Sequence, residues 1–319
     1  MPGLQLISPS RLHFGLLSFN NPNVPQFGGL GMMIDGPNLE LRARQASSFK
    51  ATGTHSDRVE QFAKNWSEFH KLSALPRVEF EVVSAPRQHI GLGLGTQLGL
   101  SVGRLLSSLL LERTCSIEEL AKSVSRGKRS SVGTLGFVSG GLIFERGKTQ
   151  ADTIAVEQTR VELPEDWRIV LITRKTNVGL SGKTEQSAFD RLPPVPEETT
   201  KNLIELATEK ILPSTTASRF AQFSDGLYRY GEIAGSCFAS LQGGSFADKN
   251  IEMKINAIRD CGVLGVGQSS WGPTIFSFHK NEEAALEFSN VAMAMTHFDD
   301  CELTIASPNK IGHQLIEIE

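Results

Sequence analysis

The spacing of apolar side chains predicts strands in the first third of the chain and alternating helices and strands after it. Residues 39–44 alternate apolar and charged side chains, as a half-buried strand does. Ser8-Pro9-Ser10 is typical of a turn, and residues 28–37 indicate a loop, a short strand and a second turn. The predicted strands are 4–7, 12–17, 39–44, 77–83, 142–145, 167–173, 274–278 and 301–306.

Apolar residues that recur every three or four positions predict the helices. Val59, Phe62, Trp66 and Phe69 fall on one face of a helix over about 57–72. Further helices are predicted after the glycines at 91–95, and at about 117–124, 197–212, 217–241, 249–260 and 284–296. This order favours an α+β fold class with two domains, residues 1–155 and 156–319, the first carrying a glycine-rich loop.

Composition narrows the class of protein. The chain has 319 residues, of which 39% are hydrophobic and 21% charged, as in an ordinary globular protein. The net charge of −3 gives no basic footprint for nucleic acid. We find no apolar run of membrane-spanning length and no signal peptide, and the four scattered cysteines have no zinc-ligand spacing. We expect a cytoplasmic protein with small-molecule partners, no nucleic acid and no membrane; a homodimer stays open.

The segment Gly91-Leu-Gly-Leu-Gly95-Thr96-Gln97 is the most informative motif. Alternate glycines leave the main-chain amides unshielded, and the apolar helix that follows directs its positive N-terminus at the same loop. These features predict a phosphate or pyrophosphate site. A dinucleotide fingerprint is excluded because Leu98 stands where its third glycine belongs, and the alternative of a tight turn remains.

Other polar segments are candidate ligand loops. Residues 126–133 combine cations and hydroxyls that suit an anion, and residues 179–185 offer a cation and a carboxylate. The latter is not a P-loop, because Asn177 replaces the required glycine. For both segments a solvated surface loop is the alternative. The candidate binding residues are Arg11, Arg126, Lys128, Ser130, Ser131, Lys183, Gln268, Ser269, Ser270 and Trp271.

Two histidines adjoin these motifs. His13 follows Arg11 on an early predicted strand, and His89 precedes the glycines. Either could act as a general acid or base or as an anion ligand, and a purely structural role is the alternative.

The motifs resemble those of the GHMP kinase superfamily. Residues 86–97, Ser8-Pro-Ser-Arg11 and residues 265–272 are similar to its second, first and third motifs. The chain most closely resembles one branch, the β-ribofuranosylaminobenzene 5′-phosphate synthases of the methanopterin pathway. This resemblance implies a two-domain GHMP kinase-like fold, with an N-terminal half like domain 2 of ribosomal protein S5 and a ferredoxin-like C-terminal half.

The resemblance also implies a reaction. Phosphoribosyl pyrophosphate would condense with 4-aminobenzoate or 4-hydroxybenzoate, with release of carbon dioxide and pyrophosphate and without ATP. The resemblance makes His13, His89 and Glu185 catalytic candidates, and Mg²⁺ is expected on the pyrophosphate with Asp35 or Glu185 as ligands. Many GHMP kinases carry a catalytic aspartate before their double glycine, whereas residues 126–144 contain no Asp or Glu.

Two other functions stay open at this point. An ATP-dependent small-molecule kinase could use the same fold, and a non-catalytic protein that binds a phosphoribosyl ligand could use the same loops.

Overall fold

The structure is a computed structural model that describes residues 3–111, 113–149, 152, 154–155, 158–176 and 189–319. Its strands are β1 (Gly3–Ser18), β2 (Phe27–Gln45), β3 (Lys50–Gly53), β4 (Val78–Ser84), β5 (Leu142–Glu145), β6 (Gln158–Val161), β7 (Arg168–Arg174), β8 (Val266–Gln268), β9 (Ile275–His279), β10 (Cys301–Pro308) and β11 (Gln314–Ile318).

The described part of the chain also forms ten α-helices. They are α1 (Ser56–Phe69), α2 (Leu94–Leu106), α3 (Ile117–Ser123), α4 (Val132–Ser139), α5 (Glu197–Glu205), α6 (Leu212–Thr216), α7 (Phe220–Ser236), α8 (Ala239–Gln242), α9 (Lys249–Asp260) and α10 (Glu282–Met293). Two π-helical turns, Ser107–Leu111 and Leu206–Ile211, extend α2 and α5. Ser116 caps α3, since its side chain accepts a hydrogen bond from the Glu119 amide at the start of that helix.

The long strands β1 and β2 form the centre of the sheet. They pair antiparallel from Leu4 opposite Ala43 to Ser18 opposite Phe27. The main path of the sheet runs β11-β1-β2-β10-β7-β9-β8, and β2 also pairs with β4 and β5. Strand β10 bonds to both β2 and β7, so the sheet continues from the N-terminal strands into the C-terminal ones.

The turn predicted at Ser8-Pro9-Ser10 is wrong. The predicted separation of residues 28–45 into a loop, a short strand, a turn and a second strand is also wrong. Each region is one continuous strand, because shifts of register take up the irregular residues. Residues 35–38 of β2 bulge opposite residues 8–10, and β1 has one extra residue between His13 and Gly15. Strand β11 was not predicted; most of its side chains are exposed, so it lacks the alternation of a half-buried strand.

Three apolar clusters hold these layers together. One packs α1 and α2 against β2 and β4, a second packs α7 against β1 and β9, and a third packs α9 and α10 on the C-terminal strands. Residues Leu94–Leu111 form a helical stretch long and apolar enough to span a membrane, contrary to the expectation from sequence, but 61% of it is buried inside the protein. It serves as the core helix of the first cluster.

Candidate active site

A cavity of about 410 Å³ is bordered by β1, residues 125–130 and α7. One part of its lining is basic and polar, with Arg11, His13, Thr96, Arg126, Lys128, Arg129 and Ser130. The other part is aromatic, with Phe14, Phe27, Phe189, Phe238, Phe246 and Trp271. Among the described residues that line it, none is acidic. The cavity therefore suits a ligand that is anionic at one end and apolar at the other.

The glycine-rich loop has the geometry of an anion site beside this cavity. It enters α2 through Gly93, whose φ of 75° lies in the left-handed region that glycine adopts without strain. The Ser269 hydroxyl donates to the Gly91 carbonyl at 2.8 Å. The amides of residues 91–95 donate no hydrogen bond to any described residue. The loop thus presents unpaired amides at a helix N-terminus, as the sequence predicted.

Two guanidinium groups converge on the same helix end. A Cβ added to Gly95 would lie 2.7 Å from Arg58 Nη2 and 3.3 Å from Arg126 Nη2. Both groups also stand over the Phe62 ring, at 5.8 and 4.9 Å from its centroid. Burial lowers the pKa of Arg58, partly offset by the charge of Asp57. Like charges gathered at a positive helix end favour the binding of an anion between them.

The aromatic part of the cavity is built around Trp271. Its ring lies 5.7 Å from that of Phe189 and 4.9 Å from that of Phe238, both nearly perpendicular to it. The Arg129 guanidinium lies 4.8 Å from the centre of the Phe189 ring. Edge-to-face rings of this kind make a rigid apolar wall on which a flat ligand ring can pack.

His13 also lines the cavity and is 5% exposed. Its Nε2 is 2.9 Å from Ser130 Oγ, and that hydroxyl donates to Glu145 Oε1 at 2.7 Å. The Ser131 amide donates to the same carboxylate oxygen at 2.5 Å. A buried carboxylate is therefore joined to a histidine of the cavity through one hydroxyl group.

The pKa values of these two groups move in opposite directions. Burial, followed by the charge of Arg11, lowers the pKa of His13 to about 3. Burial raises the pKa of Glu145, although the hydrogen bonds from Ser130 and Ser131 oppose the rise. His13 is thus a neutral imidazole at physiological pH.

The structure brings most predicted site residues together. Arg11, His13, Thr96, Arg126, Lys128, Ser130, Gln268, Ser270 and Trp271 line the cavity, and Gly91, Gly93 and Gly95 form the adjoining loop. Lys183 and Glu185 lie outside the described residues.

Three predicted binding residues have other roles. Gln97 is 2% exposed; its carbonyl accepts from Ser8 and its amide donates to the Gly133 carbonyl. The Ser131 hydroxyl accepts from the amide of residue 155, and Ser269 bonds to the glycine-rich loop. These side chains tie the walls of the site to one another and do not line the cavity.

Two further candidates also lie away from the cavity lining. His89 is exposed and has a φ of 59°. The Asp35 carboxylate accepts from Asn309 Nδ2 at 2.7 Å, where β2 meets β10. No group of three or more His, Cys, Asp or Glu side chains that could hold a metal occurs in the described part of the chain. Of the two predicted magnesium ligands, Asp35 is bonded to Asn309 and Glu185 lies outside the described residues.

Sequence reasoning missed two charged residues of the site. The absence of acidic residues was noted for residues 126–144, and Glu145 is the next residue. It ends β5, a strand whose four residues are all buried. A lone acid at the end of an apolar strand was the available signal. Arg58 follows no motif, because only the packing of α1 against α2 brings it to the helix end.

Comparison with known proteins agrees with the sequence resemblance. No family model matches the chain. A β-ribofuranosylphenol 5′-phosphate synthase of Archaeoglobus fulgidus is 28% identical over 302 residues, which are 90% of this chain and 91% of that protein. Proteins of the same name from Methanothermobacter thermautotrophicus and Methanocaldococcus jannaschii are 26% and 23% identical, over 85% and 97% of this chain and 87% and 98% of their own.

Solved structures with a similar fold are kinases and decarboxylases. A homoserine kinase from Cytophaga hutchinsonii has a TM-score of 0.66 at 15% identity, covering 98% of this chain and 97% of its own. A mevalonate-3-kinase from Thermoplasma acidophilum has a TM-score of 0.64 at 13% identity, covering 100% and 99%. At these identities the likeness concerns the fold alone. The chain thus shares its fold with these kinases and decarboxylases, and over most of its length its sequence is similar to the β-ribofuranosylphenol 5′-phosphate synthases.

Proposed function

We propose that the protein is an enzyme that transfers a phosphoribosyl group from phosphoribosyl pyrophosphate to a 4-substituted benzoate. A bond forms between C1′ of the sugar and the ring carbon that bears the carboxylate. The bond from C1′ to pyrophosphate breaks, and the carboxylate leaves as carbon dioxide, returning its bonding electrons to the ring. The observation that carries the proposal is the cavity itself, whose lining combines cations with aromatic rings, beside a loop that presents unpaired helix amides.

The basic end suits the donor. Pyrophosphate departs with several negative charges, and the amides of residues 91–95 together with Arg58 and Arg126 supply fixed positive groups at one place. Such preorganised donors stabilise a leaving anion more than solvent does, because they need no reorientation during the reaction. Arg11 and Lys128 line the same cavity and suit the 5′-phosphate.

The aromatic end suits the acceptor. Trp271 and Phe238 form a wall for a benzoate ring, and apolar surroundings favour loss of charged carboxylate as neutral carbon dioxide. An electron-donating substituent must activate the ring carbon. The names of the relatives describe a ribosylated phenol, which favours 4-hydroxybenzoate over 4-aminobenzoate.

Magnesium is proposed as a counter-ion that the donor's pyrophosphate carries into the site. The support is the chemistry of the donor, because Mg²⁺ in proteins is held mainly by substrate phosphates and one or two carboxylates. The product would enter tetrahydromethanopterin biosynthesis, as the resemblance implies. The cytoplasm is proposed as the location, because the four cysteines are free thiols.

The test is a product assay with purified protein, phosphoribosyl pyrophosphate, Mg²⁺ and each benzoate, labelled in the carboxyl group. We expect labelled carbon dioxide and pyrophosphate in equal amounts, with no requirement for ATP. Phosphorylation of an acceptor by ATP would favour the kinase alternative, and tight donor binding without turnover would favour a binding protein.

A further inference from the structure

We propose that Glu145 is a positioning residue that acts through Ser130 to hold His13 with its proton on Nε2, so that Nδ1 is the proton acceptor of the ring. The tautomer is inferred from the hydrogen bonds of Ser130 and Glu145. Its catalytic consequence rests on the proposed function.

The argument begins with the single hydrogen of the Ser130 hydroxyl. That hydroxyl donates to Glu145 Oε1 at 2.7 Å and accepts from the Val132 amide at 3.2 Å. A serine hydroxyl has one hydrogen to donate and two lone pairs to accept with. Its remaining contact, with His13 Nε2 at 2.9 Å, must therefore be one in which the serine accepts. The imidazole nitrogen that faces Ser130 must then carry the hydrogen.

The direction of the chain is set by the carboxylate. Glu145 Oε1 also accepts the Ser131 amide, so two donors point at one oxygen. Burial raises the pKa of this carboxyl group, whereas the hydrogen bonds from Ser130 and Ser131 and the positive charge of Lys148 favour its ionised form. An ionised carboxylate has no hydrogen to give, and the order Nε2–H to Ser130 to Glu145 follows.

In the proposed reaction this order assigns a role to each nitrogen. As the ring carbon attacks C1′, the ring hydroxyl becomes strongly acidic, so His13 Nδ1 can take its proton even though burial lowers the pKa of the imidazole to about 3. The positive charge that then appears on the imidazole is stabilised through Ser130 by the Glu145 carboxylate. After carbon dioxide has left, the proton returns to the oxygen of the product. Glu145 touches no reacting atom in this scheme.

The second histidine–serine contact of the structure provides an internal control. His279 Nε2 lies 2.9 Å from Ser277 Oγ, the same distance as in the His13–Ser130 pair. None of the hydrogen bonds described for Ser277 reaches a carboxylate. A change at Glu145 should therefore leave the His279 tautomer as it was.

The experiment is ¹⁵N NMR of the full chain with labelled histidine, in which protonated and unprotonated ring nitrogens have well-separated shifts. The His13 signals are assigned as those missing from His13→Gln. In the wild type we expect His13 to carry its hydrogen on Nε2. In Glu145→Leu, which removes both acceptor oxygens, the Nε2–H fraction should fall, while His279 stays unchanged. A wild-type His13 with its hydrogen on Nδ1 would overturn the proposal, even if the variant did not fold.

Kinetics test the consequence separately. Glu145→Gln should lower kcat about 10- to 100-fold with little change in the donor KM, because geometry is nearly kept while the charge is lost. Glu145→Asp, which restores the charge, should recover part of kcat. An unchanged kcat in Glu145→Gln would refute the catalytic role of the charge. Absence of any phosphoribosyl transfer by the wild type would refute the proposed function and leave the tautomer result standing.

Discussion

Arg58 shows how a single side chain outside the glycine-rich loop extends an anion site. Its guanidinium and that of Arg126 meet beside Gly95, and both rest on the Phe62 ring. Neither the amides nor the arginines alone would match the charge of a pyrophosphate. Together they place several donors within reach of one anion.

Replacing Arg58 by Gln should therefore weaken donor binding. We expect the KM for phosphoribosyl pyrophosphate to rise about tenfold or more, corresponding to one charge-assisted hydrogen bond, with a smaller change in the KM of the acceptor. The matched control is Lys64→Gln, which removes a positive charge from the exposed side of the same helix. Equal effects of the two substitutions on donor KM would count against a direct contact.

Trp271 allows the same test at the aromatic end. Trp271→Ala should raise the KM of the benzoate about tenfold while leaving the donor KM nearly unchanged, because the lost contact is a ring against a ring. Trp271→Phe keeps an aromatic surface and should retain much of the affinity. Steady-state kinetics with each substrate varied in turn will show whether the effect is confined to the acceptor.

At the scale of elements, much of the site was predictable from the sequence. The loop at 91–95 was predicted because alternate glycines before an apolar helix have few other uses. Glu145 and Arg58 could not be placed, because their positions depend on the pairing of β5 with β2 and on the packing of α1 against α2. Gln97 was predicted to bind the ligand. The local sequence cannot distinguish a side-chain donor that faces a cavity from one that joins two helices, as Gln97 does.

The junction of loop and helix α2 offers a substitution that separates folding from binding. Gly95 lies inside the helix, so Gly95→Ala should leave the free energy of unfolding unchanged or raise it by up to about 1 kcal/mol. The new methyl group would fill the space between the two guanidiniums and push Arg58 aside, since it would lie 2.7 Å from Arg58 Nη2. We therefore expect donor affinity to fall at least tenfold in a protein that is no less stable.

Calorimetric titration with donor and chemical denaturation of the same sample measure both quantities. A stable Gly95→Ala protein with wild-type donor affinity would show that the anion binds elsewhere. Gly93→Val is a poorer test, because φ at Gly93 is 75° and a Cβ there would lie 3.1 Å from Arg11. That variant would lose stability and binding together.

At the scale of the whole molecule, buried neutral histidines link stability to pH. Burial lowers the pKa of His279 to about 4, and burial with the charge of Arg11 lowers that of His13 to about 3. Above pH 6.5 both histidines are neutral in the folded and unfolded states, so they contribute nothing to the pH dependence there. Below it the unfolded chain binds protons that the folded chain refuses, and stability is lost down to the folded-state pKa values.

We therefore expect the free energy of unfolding to fall between pH 6.5 and pH 4, by about 1.4 kcal/mol for each unit by which a pKa is lowered. Glu145, whose pKa is raised by burial, acts in the opposite sense at the acid end of this range. Urea denaturation at several pH values will measure the slope. His279→Asn should reduce that slope, whatever its stability at pH 7. An unchanged slope would mean that His279 takes up its proton at the same pH in the folded protein as in the unfolded chain.

We propose above all that the unpaired amides at the start of α2, together with Arg58 and Arg126, bind the pyrophosphate of a sugar donor. A crystal structure with phosphoribosyl pyrophosphate and Mg²⁺ bound tests it most directly. We predict that the pyrophosphate accepts hydrogen bonds from amides of residues 91–95 and contacts both guanidiniums, with the ribose directed toward His13. A donor seated elsewhere, with those amides bonded within the protein, would contradict the account.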